Sequence, residues 1–113
     1  MQAWYHGAFE REMGATARDF RRCLPEAFEP FVTSFDPAAD PAAPVAPSAE
    51  QVASVALGTG TARVAWRQLA PRSIGLLASL PRLHVRFDFG GVDETERQKV
   101  MKRFDLVMLR GGG

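Results

Sequence analysis

The chain has 113 residues, 46% apolar and 24% charged, with a formal net charge of +1. This length suits a single domain, residues 1–113, burying well over half of its unfolded surface, and the composition excludes a disordered chain. A lone cysteine, Cys23, excludes an internal disulfide, and no Cys/His spacing suggests a metal site.

No metal or cofactor is expected, and a reducing, cytosolic setting suits the free thiol. The opening MQAWYHGAFEREMG lacks a basic n-region and an apolar h-region. No apolar run approaches the roughly 18 residues of a membrane span, so neither export nor membrane contact is expected. Charge is uneven. Residues 1–48 hold four arginines against seven acids, and residues 49–113 hold ten Lys or Arg against six acids. That asymmetry is too mild for a nucleic-acid signature, and the excess of Arg over Lys also fits a GC-rich genome.

Phe9, Met13, Ala17, Phe20 and Leu24 recur at steps of four, four, three and four, which predicts an amphipathic helix over residues 6–24. Glu10 and Glu12 near its start and Arg18, Arg21 and Arg22 near its end suit the helix dipole, and Pro25 ends it. EAFEPFVTSF then spaces Phe28, Phe31 and Phe35 among acids and a proline. DPAADPAAPVAPS has little that packs, so residues 36–48 read as a solvated linker.

EQVASVAL reads as a strand over 50–57, with a short helix as the alternative. GTG at 58–60 is a turn, and TARVAWRQL alternates Val64 and Trp66 with Arg63 and Arg67 as a half-buried strand. SIGLLASL, residues 73–80, reads as extended, with Ile74, Leu76, Ala78 and Leu80 on one face, or as a short helix. Pro81-Arg82 makes a tight turn into LHVRFDFGG, the clearest strand of the chain. Asp93 followed by Glu96 is an N-cap and capping-box pair. It opens a helix over 94–109 with an apolar stripe of Val100, Met101, Phe104, Val107 and Met108.

The predicted fold is α+β: a four-stranded antiparallel meander with the N- and C-terminal helices packed on one face, in the order α-β-β-β-β-α.

Arg63, Arg67, His84 and Arg86 should share the open face of that sheet, where neighbouring guanidinium groups can grip phosphates. No aromatic residue stands among them to stack a base, and Asp88 dilutes the charge. His84 and Asp88 share a strand face but lie ~13 Å apart, so a catalytic dyad needs an acid from another strand. Cys23, near a helix C-terminus, reads as a structural thiol. GTGT lacks the Lys-Ser/Thr of a phosphate loop.

Phe28, Phe31 and Phe35 are candidates for docking a partner, with folding back onto the protein's own core as the competing reading. The end, Arg110 to Gly113, resembles the glycine tails of ubiquitin and the small sulfur carriers. Those tails leave a β-strand, whereas here a helix runs almost to the end, and Gly111 reads more simply as its C-cap. With no catalytic constellation, the leading expectation is a non-catalytic cytosolic adaptor, accessory subunit or regulator working through protein contacts. The alternative is a nucleic-acid- or anion-binding module using the arginine face.

Overall fold

The computed structural model describes residues 7–36 and 49–111. Over these residues it is an α+β fold, one antiparallel sheet with two helices on one face, but the sheet has five strands rather than four. The strands are β1 (Ala8–Met13), β2 (Thr33–Asp36), β3 (Gln51–Ala56), β4 (Thr61–Ser73) and β5 (Ser79–Gly90); the helices are α1 (Ala17–Ala27) and α2 (Glu94–Gly111). Spatial order is β1-β5-β4-β3-β2. Strands β2 to β5 form the meander, and β1 closes its far edge against β5.

The first correction concerns the N-terminus. Residues 8–13 form a strand, not the first turns of a helix. Phe9 and Met13 stand four apart, a spacing that serves a helix face and a strand face equally. Pairing decides the outcome, since Phe9 lies opposite Phe87 and Met13 opposite Leu83. The helix begins only after Gly14, where the Thr16 hydroxyl accepts from the Asp19 N–H at 3.1 Å as its N-cap.

Pro25 does not end that helix; it lies inside it. A proline there removes one hydrogen bond, to the Arg21 carbonyl. The last turn is held instead by burial of Leu24, Ala27 and Phe28. Beyond it the Glu29–Pro30 peptide is cis, and the chain enters β2, a strand the loosely spaced phenylalanines did not announce. Most of the predicted linker, residues 37–48, lies outside the described residues.

The second correction concerns residues 73–80. They are not a separate strand or a helix but the end of one long hairpin: Ser73 closes β4 and Ser79 opens β5. Pro81-Arg82, expected as a turn, lies within β5. Strand β3 pairs with β4 only over residues 61–66, and β1 with β5 only over 83–88. The hairpin therefore outruns its neighbours as a two-stranded arm. Both prolines lie in it, Pro71 at a register shift between Leu69 and Arg72, where no third strand needs their missing N–H groups.

On the covered face, one row across the sheet reads Phe9, Phe87, Val64, Ala53 and Phe35. Phe104 of α2 meets Phe87 edge-on at 5.2 Å, and Phe20 of α1 lies 5.2 Å from Trp66. The predicted stripe of α2 is buried in full. Asp93 caps that helix by accepting from the Glu96 N–H at 2.8 Å. The Glu96 carboxylate does not return the bond but accepts from the Thr59 hydroxyl at 3.1 Å, which ties the helix to the β3–β4 turn.

Candidate functional site

Alternation places the predicted anion-binding residues Arg63, Arg67, His84 and Arg86 on the open face, together as expected. Strand β1, read from sequence as helix, brings acids among them. Glu10 lies opposite Arg86 and Glu12 opposite His84. The contacts to β1 are diagonal: His84 Nε2 is 2.6 Å from Glu10 Oε1 and Arg82 Nη2 is 3.0 Å from Glu12 Oε1; Arg86 reaches the other way, across β4, to Glu50 Oε1 just before β3 at 3.6 Å. The Arg82 hydrogen bond holds the Glu12 carboxyl below its ordinary pKa, and the nearby charges of Arg82, Arg72 and His84 act in the same direction.

Acids thus neutralise much of this face. Arg63 and Arg67 are the exposed exceptions: among the described residues neither forms an ion pair.

The neighbouring strand also supplies the acid that a His84 dyad required, in Glu10 rather than Asp88. Its setting is a solvated sheet surface, with the Glu10 side chain 61% exposed. General acid–base chemistry needs a reacting group held in a fixed position against the pair, and none of the grooves described among residues 7–36 and 49–111 is lined by His84 or Glu10. Among the described residues, no group of three or more His, Cys, Asp or Glu is arranged to hold a metal ion. No helix there is long and apolar enough to cross a membrane.

The three candidate docking phenylalanines turn inward. Phe28 is 1% exposed and lies 5.6 Å from Phe104, while Phe31 and Phe35 pack partly buried against the same core. Phe35 meets Trp66 edge-on and carries the Arg21 guanidinium over its ring at 4.1 Å. Cys23 is half-buried beside that core. The helix includes Gly111, and Gly112 and Gly113 lie outside the described residues.

Two apolar surfaces escaped the sequence reading. One is the outer side of α2, where Leu106 and Leu109 are 54% and 79% exposed. They line a shallow groove with Gln98, Lys99, Lys102 and Asp105. A second depression, lined by Met13, Gly14, Ala15 and Met108, shares Asp105 and Leu109 with the first. Asp105 is held by Arg11 at 2.7 Å, leaving Lys99 and Lys102 as the cations beside the leucines. The signal was present: Leu106 and Leu109 stand three apart, outside the buried stripe.

The other surface is the arm's tip, where Leu76 and Leu77 are fully exposed. Alternation at 73–80 imitated a half-buried strand and concealed it. No protein-family model, curated protein or solved structure matches this chain.

Proposed function

We propose that this protein is a non-catalytic adaptor or accessory subunit that works in the cytosol through protein contacts, made chiefly by the outer face of α2. The observation that carries this reading is the groove at Leu106 and Leu109, apolar at its floor and flanked by Lys99 and Lys102. Two leucines a helical turn apart suit an amphipathic partner segment. The flanking lysines select acidic residues beside that segment's apolar face.

The sheet edge at β1 is a poorer docking site. There β1 points Arg11 into the covered face, where it binds Asp105; such an inward charge discourages strand addition.

The test is photo-crosslinking from position 106 in the cytosol of the source cell, read by mass spectrometry. The reading expects one stoichiometric protein, lost in Leu109→Asp and weakened in Lys99→Glu with Lys102→Glu. A chain that crosslinks to no protein overturns it.

A second reading, anion or nucleic-acid binding on the open face, is favoured by one observation: Arg63 and Arg67 are exposed and, among the described residues, form no ion pair, although Arg63 stands opposite Asp88. His84 and Arg86 would contribute less, being already engaged by Glu10 and Glu50. Such binding weakens with salt and is lost in Arg67→Glu without loss of fold. Undetectable binding at low ionic strength removes this reading.

A further inference from the structure

The β4–β5 arm combines three properties. Residues 70–80 are exposed without interruption. Its end presents Ile74, Leu76, Leu77 and Leu80, with Leu76 and Leu77 each 101% exposed. The turn is closed by the Ile74 N–H donating to the Ala78 carbonyl at 3.0 Å, with Gly75 at φ +82°, so consecutive leucines are held out at the apex of a defined turn.

Along the chain the charge of this arm has one sign, although Glu12 of β1 lies close enough for Arg72 and Arg82 to act on its carboxylate. No aspartate or glutamate occurs from residue 51 to residue 87, a stretch that carries Arg63, Arg67, Arg72, Arg82 and Arg86. Arg72, exposed, is two residues below Ile74, or ~7 Å along the strand. Arg82 follows nearer the sheet, where it meets Glu12.

From this geometry we propose that the arm is a peripheral membrane anchor, its aliphatic tip entering a bilayer that displays anionic headgroups while Arg72 binds those headgroups at the surface. Interfacial apolar segments bury ~5–10 Å into the headgroup boundary, a depth comparable with the spacing between Arg72 and Ile74. Basic residues just outside an apolar insertion gain from the negative surface potential of anionic lipid.

Ile74, Leu76, Leu77 and Leu80 are all exposed around one turn, with Ser73 and Ser79 at its base, and a fluid bilayer can surround such a projecting tip. A second copy offers the α2 groove, but Lys99 and Lys102 there repel a segment whose only charges are arginines. The proposal departs from the sequence expectation of no membrane contact, which rested on the lack of a spanning segment and a leader peptide; an inserted hairpin tip needs neither. This anchor does not depend on the α2 contact proposed above.

The test uses the full chain with phosphatidylcholine vesicles, with and without phosphatidylglycerol, read by co-sedimentation. Wild type should sediment with the anionic vesicles and be released as salt rises. Leu76→Asp with Leu77→Asp should weaken binding at least about tenfold, and Arg72→Glu by several-fold, roughly in line with one surface charge reversed. All three positions are exposed, and unchanged circular dichroism and melting confirm an intact fold.

Failure of wild type to sediment with anionic vesicles overturns the proposal, as does equal binding of the double variant. Equal sedimentation with neutral vesicles overturns the headgroup role of Arg72. Self-association that the double variant abolishes, without vesicle binding, overturns the proposal in favour of a second copy as the partner.

Discussion

The side-chain oxygen of Gln68 accepts a hydrogen bond from the backbone N–H of Ala17 at 2.6 Å. The same amide donates to the Arg82 carbonyl at 2.7 Å and to the Ala15 carbonyl at 3.4 Å. One residue of β4 thereby satisfies groups at the start of α1 and on β5. Gln68→Leu leaves part-buried polar groups without their partners, a loss of about 1–3 kcal/mol. Urea unfolding should show a lower midpoint at unchanged slope.

Gly60 is required by crowding rather than by its torsion angles. A Cβ there would run into the backbone of Gly90 and Gly91, where the β3–β4 turn meets the end of β5. Gly60→Ala should cost ~1–3 kcal/mol as backbones separate. Gly58→Ala is the control, because its Cβ would meet only Glu96 Oε2 at 3.5 Å; a change within about 0.5 kcal/mol is expected. Thermal melts of the two variants check the contrast.

Phe104 joins both helices to the sheet, lying 6.0 Å from Phe20, 5.6 Å from Phe28 and 5.2 Å from Phe87. Phe104→Ala should destabilise by ~3–5 kcal/mol. Leu106→Ala, on the other side of the same helix, should stay within about 0.5 kcal/mol. Equal losses in denaturant titrations would show that the outer face of α2 is part of the core.

Glu12 should titrate below the ordinary carboxylate range because Arg82 stabilises its charged form. Its contribution to stability is present above the unfolded-state pKa and is lost as pH falls through the depressed folded value. Both groups are exposed, so solvent keeps that contribution small. Carboxyl-carbon NMR should record the low pKa and its return toward the ordinary value in Arg82→Gln.

Legibility in the sequence followed how uniquely a pattern implied a period. The strict alternation of Leu83, Val85, Phe87 and Phe89 identified β5, and the Asp93 cap with its following stripe identified α2. Phe9 and Met13 were ambiguous because a step of four fits both periods; the partner that resolves them, β5, lies far along the chain. Pro25 misled because burial of Leu24 and Phe28, a tertiary effect, outweighs one missing hydrogen bond. The open-face arginines were placed correctly, but their neutralisation was hidden, since Glu10 and Glu12 join them only once β1 pairs with β5. The arm was missed because alternation reports which residues share a face and not whether anything covers it.

The place of β1 at the far edge also has a consequence for synthesis. Phe9 stacks on Phe87 at 4.8 Å, so an early-made strand must wait for a partner that leaves the ribosome about 80 residues later, a delay of ~4–15 s at common elongation rates. Throughout that interval Phe9 and Met13 have no native strand to cover them. Until β5 emerges, β1 is an unpaired strand whose apolar side chains a chaperone can shield.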